Sequence, residues 1–229
     1  MRGHLWIAGA LMLFLAPATA RASSLSFVGT FTDPTDIFTA SFSLSASSAV
    51  SIQTWGFGGG TNAAGTVIPA GGFDPLIALF SGIDSSATIL ADITGPVFSA
   101  DIFPGYEGSC PPGQVAVIAG SPLCGDATLH FLDLPAGDYT LLLTYAPYIP
   151  FAVFDASALL GDGFFDLTGG VFQTCVTDPD FACVDRTGDF AVDVLVTSAV
   201  PEPGTLMLLA GGVLAVGRRQ YQARYRRQT

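Results

Sequence analysis

The chain contains no lysine, and its eight basic residues are all arginines. Seven arginines lie near the two ends, which leaves Arg186 as the one basic residue between Ser23 and Ala199. The same segment carries eighteen acidic residues. A segment of this charge repels polyanions, so the composition argues against a nucleic-acid partner. Cations, or a sugar-rich matrix bridged by cations, are better partners for so negative a segment. The alternative interpretation is that the charge simply keeps the segment soluble.

Residues suited to catalysis are scarce as well. Beyond residue 22 the chain has a single histidine, His130, and a single glutamate before the C-terminal tail, Glu107. A catalytic base needs a partner that orients it, and the serines show no nucleophile-elbow pattern. We therefore expect no enzyme activity. A pair of aspartates could still hydrolyse sugars, so a secreted glycosidase is kept as one alternative.

The first 22 residues have the pattern of a signal peptide. Arg2 gives the positive start, an apolar run covers residues 5–16, and small residues precede the predicted cleavage at Ala20 or Ala22. The run is short for a membrane span, which needs roughly 20 residues. We expect signal peptidase to remove this segment, which would form an N-terminal signal helix.

The C-terminal tail, residues 200–229, has three parts. It begins with a short motif, continues with an apolar stretch at 205–217 that suits a short helix, and ends in a basic segment at 218–229. The prolines of the motif prevent helix or sheet pairing and leave the backbone accessible to a protease. The paired arginines favour the cytoplasmic side of a membrane. The motif is Val200, Pro201, Glu202, Pro203 and Gly204, and the arginine pair is Arg218 and Arg219.

This order of motif, apolar stretch and arginines resembles the PEP-CTERM sorting signal of Gram-negative bacteria. The resemblance implies that exosortase, a membrane enzyme, recognises the Pro-Glu-Pro element and processes the tail. It also implies a transient stay in the inner membrane, delivery to the cell surface or extracellular matrix, and a link to exopolysaccharide and biofilm.

Four cysteines agree with export. An even number of cysteines in an exported chain suggests disulfides, and none of the four forms a Cys-x-x-Cys pair. The simplest of the three possible connectivities joins Cys110 to Cys124 and Cys175 to Cys183.

Between residues 23 and 199 the apolar residues alternate. Period-two runs begin at Phe38, Tyr139 and Val192, and glycine, proline and aspartate punctuate them. The pattern predicts an all-β fold, a single jelly-roll-like β-sandwich. Residues 96–126 and 147–188 are predicted to be rich in loops. Further predicted strands cover residues 25–31, 50–57, 76–80, 88–93 and 128–134.

Several turn and strand segments resemble bacterial pre-peptidase C-terminal domains. They are Asp33-Pro34-Thr35-Asp36, Leu134-Pro135-Ala136-Gly137-Asp138-Tyr139 and Phe73-Asp74-Pro75 with the apolar run after it. The last also resembles PEP-CTERM proteins built around a Phe-Asp-Pro element. The resemblance implies a small accessory jelly roll, sometimes calcium-binding and not itself catalytic.

Two groups of aspartates are candidate calcium ligands, because calcium takes six to eight oxygens, many of them carboxylates from loops. Aspartate is also an ordinary turn residue, so turn chemistry is the competing interpretation. The first group is Asp33, Asp36 and Asp74. The second is Asp178, Asp180, Asp185 and Asp189.

Aromatic residues are candidates for a sugar-binding platform, with core packing as their commoner fate. Tyr106 and Tyr148 are expected to be the better exposed. The favoured function is a non-enzymatic surface or matrix protein sorted by exosortase. A calcium-dependent carbohydrate-binding module is the main alternative. The five aromatic candidates are Trp55, Phe57, Tyr106, Tyr148 and Phe151.

Overall fold

The computed structural model describes residues 22–90, 98–100, 115–118, 121–176 and 182–198. Its strands, in chain order, are β1 Ala22–Thr30, β2 Phe38–Leu44, β3 Ser48–Trp55, β4 Gly60–Thr61, β5 Val67–Ile68, β6 Pro75–Ser81, β7 Thr88–Ile89, β8 Phe98–Ala100, β9 Val115–Ile118, β10 Ser121–Cys124, β11 Thr128–Leu134, β12 Gly137–Tyr145, β13 Tyr148–Pro150, β14 Phe164–Asp166, β15 Gln173–Val176, β16 Ala182–Asp185 and β17 Asp189–Ser198. Two short 3-10 turns cover Phe151–Val153 and Leu160–Asp162. Among the described residues, no helix is long and apolar enough to cross a membrane.

Two antiparallel sheets form the sandwich. The first has the order β1-β17-β3-β11 and the second the order β2-β12-β6-β7, with β8 also pairing with β6. Without β8, the two sheets contain eight strands. Numbered 1 to 8 along the chain, these are β1, β2, β3, β6, β7, β11, β12 and β17. The sheet orders are then 1-8-3-6 and 2-7-4-5, which is the strand order of a jelly roll. The predicted all-β sandwich is therefore confirmed. The predicted signal helix and C-terminal helix lie outside the described residues, and the domain bounds stay a prediction.

The period-two pattern places one set of side chains in the core between the sheets. On β2 the alternation is regular, with Ala40, Phe42 and Leu44 buried and the residues between them exposed. Residues from both sheets meet in this core, and several are completely buried, including Ile52, Leu129, Leu141 and Val194.

The second sheet is also buried on its outer face, which the alternation did not predict. Leu76, Phe80 and Leu142 are all 0% exposed there and form a second apolar cluster. Residues 147–168 supply its cover, with Ile149, Ala152 and other apolar side chains packed against the sheet. We call residues 147–168 the cover segment. Because β6 lies between two apolar layers, its sequence is a nearly continuous apolar run. β12 is buried on both faces as well, but it includes the polar residues Thr140 and Thr144.

The predicted loop regions contain more regular structure than expected. Residues 96–126 include β8 and the hairpin of β9 and β10. Within 147–188, β13 pairs with β14 and β15 pairs with β16. These strands have only three or four residues each, too short for a period-two pattern to stand out.

The two ends of the domain lie side by side. Strand β1 pairs with β17 along its whole length, with Ala22 opposite Thr197 and Thr30 opposite Asp189. The start of β1 and the end of β17 therefore lie at the same end of the first sheet.

We predict that the second apolar layer contributes to stability as much as the first. Leu142→Ala, under the cover segment, and Leu141→Ala, between the sheets, should each lower the free energy of unfolding by about 2–5 kcal/mol, because both side chains are fully buried. Urea unfolding of the domain measures this. Leu132→Ala is the control, because Leu132 is 91% exposed and its loss should change little. A Leu142→Ala variant as stable as the control would mean that the cover segment does not pack as described.

Candidate functional site

The first calcium-candidate group divides between two places. Asp33 and Asp36 lie in the turn from β1 to β2, where Asp36 Oδ2 accepts the backbone N–H groups of Thr32 at 2.7 Å and Asp33 at 2.9 Å. These bonds lower the pKa of Asp36. Asp33 Oδ1 accepts the N–H of Thr35 at 2.8 Å. Both carboxylates thus perform turn chemistry, while Asp74 lies beside Arg186.

The second group is described only in part, because Asp178 and Asp180 lie outside the described residues. Asp185 accepts a bond from the Gln173 side chain at 2.8 Å, and Asp189 accepts one from Thr30 Oγ1 at 2.7 Å. Within the described ranges, no three or more His, Cys, Asp or Glu residues are grouped so as to hold a metal ion. Calcium binding stays a prediction.

One predicted disulfide is confirmed. Cys175 and Cys183 are bonded and lie directly opposite each other on β15 and β16. Asp178 and Asp180 come between these two strands in the sequence and lie outside the described residues. Cys110 lies outside the described residues, and of Cys124 only the backbone, in β10, is described, so that pairing stays a prediction.

Arg186, the one arginine between residues 23 and 199, lies in a partly buried polar cluster. Arg186 donates from Nε to the Gly72 carbonyl at 2.9 Å and from Nη2 to the Phe57 carbonyl at 2.8 Å. Its guanidinium carbon lies 4.2 Å from the centre of the Phe57 ring, within cation–π range. Asp74 and Asp126 both stabilise its charge.

Asp126 completes this cluster from the segment before β11. Its Oδ2 accepts the N–H of Gly58 at 2.8 Å, and its Oδ1 accepts bonds from the Phe57 N–H and Thr54 Oγ1 at 3.3 Å. Burial raises the pKa of Asp126 to about 6, and these hydrogen bonds and the Arg186 charge only partly oppose it. These contacts connect Arg186 and Asp126 to the loop after β3 and to Gly72, so we interpret the cluster as structural.

The proposed platform at Trp55 and Phe57 is wrong for Phe57, which is 1% exposed because it packs beneath Arg186. Trp55 is half-buried, and its Nε1 donates to Asp193 at 2.8 Å. Tyr106 lies outside the described residues. Tyr148 is stacked on Phe164, with ring centres 4.7 Å apart.

An exposed aromatic cleft lies instead on the cover segment. Phe165 makes edge contacts with Phe151, at 4.4 Å between ring centres, and with Phe154, at 5.4 Å. Phe154 is 66% exposed and Phe165 46% exposed, which is unusual for phenylalanine. We call this cavity of about 400 Å³ the Phe cleft. It is lined by Phe151, Phe154, Asp155, Ala158, Asp162 and Phe165.

The cleft carboxylates are held by local hydrogen bonds. Asp155 Oδ1 accepts the N–H of Ser157 at 2.9 Å and its hydroxyl at 2.6 Å, which lowers the pKa of Asp155. Asp162 Oδ2 accepts the N–H of Leu159 at 2.8 Å. Only one of the three phenylalanines of this cleft, Phe151, is among the aromatic candidates named from the sequence. Phe154 and Phe165 belong to no periodic pattern. Their position in a segment rich in glycine and aspartate could nevertheless have indicated exposed aromatic side chains.

His130 lies on β11, on the exposed side of the first sheet. Its Nδ1 is 2.9 Å from the Ser51 hydroxyl on the neighbouring strand β3. This is an ordinary cross-strand pair.

Comparison with known families identifies the C-terminal tail. Residues 199–220 match the PEP-CTERM protein-sorting motif. The predicted sorting signal is thereby confirmed, and the protein is one that is exported and sorted by exosortase to the cell envelope or surface. No curated protein matches the chain significantly.

We predict an inverted pH dependence at Asp126. Its pKa is near 6 in the folded domain and 3.8 in the unfolded chain, so its contribution is most favourable at low pH and is lost as pH rises from about 4 to about 6. The loss amounts to about 3 kcal/mol by pH 7. Asp126→Asn cannot ionise, so it should gain stability relative to the parent over this window.

Urea unfolding of both proteins across that pH range gives the difference. Other aspartates, such as Asp36, have lowered pKa values, so their contribution to stability increases as pH rises. That contribution is the same in the parent and the variant and therefore cancels in the difference. A constant difference from pH 4 to pH 7 would show that Asp126 titrates normally.

Proposed function

We propose that this protein is a non-enzymatic component of the cell surface or extracellular matrix, whose sandwich associates with extracellular polysaccharide at the Phe cleft. The observation that carries the proposal is the combination of a tail that directs the protein to the surface with an exposed aromatic cavity on the folded domain. Pyranose rings present apolar C–H faces that stack on aromatic rings, while their hydroxyls donate to carboxylates. Phe154, Phe165, Asp155 and Asp162 supply both kinds of group.

Binding suits this cleft better than hydrolysis. A glycosidase needs one carboxyl group with a raised pKa to protonate the leaving oxygen. Asp155 has the opposite tendency, because the Ser157 hydroxyl and N–H stabilise its ionised form. The Phe cleft therefore favours a binding protein over the glycosidase alternative.

A calcium-dependent carbohydrate-binding module is the second candidate, because an exposed aromatic platform is a property that such modules share. The two candidates differ in the need for calcium. The described aspartates already accept bonds from their own turns and neighbouring strands, which supports the calcium-independent form.

We therefore predict that calcium leaves the thermal midpoint of the folded domain unchanged. A ligand that binds only the folded state stabilises it by RT ln(1 + L/Kd), where L is its free concentration, and so raises the midpoint as that concentration exceeds Kd. Differential scanning calorimetry, with calcium and with EDTA, provides the comparison, and magnesium controls for a general effect of divalent ions on an acidic domain. A calcium-specific rise would favour the second candidate, and Asp178→Asn with Asp180→Asn would then locate the site.

The sorting and matrix steps are tested together in the native host. We expect intact mass to show removal of residues up to about Ala22 and of the tail after about Pro203, the second only when the sorting enzyme is present. We also expect the processed protein in the matrix fraction, and its release when the host lacks its exopolysaccharide. An intact tail in both strains would contradict the processing. A processed protein absent from the matrix would contradict the polysaccharide association.

A further inference from the structure

We propose that the Phe cleft binds amino-sugar units with protonated amino groups, so that the polysaccharide partner is cationic. This inference rests on the proposed function and names its ligand class. It follows from three properties of the cleft: the angles between its rings, the types of hydrogen-bonding group it offers, and the charge around it.

The three phenylalanines form walls and do not stack face to face. The plane of Phe165 makes an angle of 73° with Phe151 and of 81° with Phe154. In an edge-to-face pair one ring directs its edge at a face of the other, and each ring keeps a face that this partner does not cover. An ammonium group is attracted to such faces. Phe154 is 66% exposed and Phe165 46% exposed, so a ligand can reach both rings.

The cleft offers hydrogen-bond acceptors and no donor among its side chains. Phenylalanine and alanine carry neither, and ionised aspartate only accepts. Asp155 and Asp162 each use one oxygen for bonds to the described backbone, which fixes the carboxylate and leaves its second oxygen for a ligand. A protonated amine only donates, so it complements this cleft more completely than a hydroxyl or an N-acetyl group does.

The charge of the domain also favours a cationic ligand. Arg186 is the one arginine or lysine among the described residues, and it is occupied by Asp74, Asp126 and two carbonyl groups. No basic side chain of the described surface therefore offsets Asp155 and Asp162. A polymer of uronic acids would be repelled, whereas a polymer of unacetylated amino sugars would be attracted.

Titration calorimetry with a glucosamine tetramer at mildly acidic pH tests the inference, with the N-acetylated tetramer and a galacturonate oligomer as comparison ligands. We expect the mature protein to bind the glucosamine tetramer at least about tenfold more tightly than the acetylated one, and to show no binding of the galacturonate. Phe154→Ala should weaken binding about fivefold, and Asp155→Asn with Asp162→Asn at least tenfold.

Two control variants separate the cleft from general attraction to an acidic protein. Leu132→Ala removes an exposed apolar side chain elsewhere, and Asp133→Asn with Asp138→Asn removes two exposed charges elsewhere. Both should bind as the parent does. Equal losses in control and cleft variants, or equal affinity for both tetramers, would overturn the inference.

The outcome is separable from that of the proposed function. If the mature protein does not prefer the glucosamine tetramer to the acetylated one, but Phe154→Ala still reduces its residence in the matrix, only the ligand class fails. If the cleft binds as described but the protein is absent from the matrix fraction, the matrix function fails while the cleft assignment holds.

Discussion

The fold depends on how one arginine is placed in a domain with eighteen acidic residues. Arg186 lies just before β17, and its guanidinium contacts the carbonyls of Phe57 and Gly72, which belong to two other loops. Asp126 binds the backbone of the same loop as Phe57 from a fourth segment. The cluster thus joins segments far apart in sequence at one end of the sandwich. Loss of Arg186 would remove the one arginine charge that offsets the partly buried carboxylates of Asp74 and Asp126, which costs more than a surface ion pair contributes.

The Phe-Asp-Pro element, residues 73–75, has a structural role at this cluster and beside it. Asp74 stabilises the Arg186 charge, and its carbonyl accepts the N–H of Ala146 at the end of β12. Phe73 is 2% exposed and stacks on Phe31 and Phe172 at the closed end of the core. Pro75 begins β6. Each residue of the element therefore positions a strand, and the motif specifies the fold more than a ligand.

The sequence predicted the sandwich because an alternating pattern indicates burial on one face, as on β2, where Ala40, Phe42 and Leu44 are buried and the residues between them are exposed. On β17 the pattern identified the buried face of Val192 and Val194 but not the burial of Ala191 and Asp193 on the other face. It failed for β12, where Thr140, Leu142 and Thr144 are buried as well. That second burial depends on the cover segment, whose short elements and turn residues give no period. The Phe cleft was missed for the same reason. The aspartates show a different limit, since Asp33 and Asp36 suit a turn or a metal equally well by composition, and only hydrogen-bond geometry separates the two.

The first and last strands of the sandwich and the Phe cleft lie on different sheets. Ala22 and Thr197 are opposite each other on β1 and β17, so these two strands are neighbours in the first sheet. The Phe cleft lies on the cover segment, which packs on the outer face of the second sheet. The cleft and the β1–β17 pair are therefore separated by the core between the two sheets. Ligand contacts proposed for the Phe cleft would thus involve neither the first nor the last strand of the sandwich.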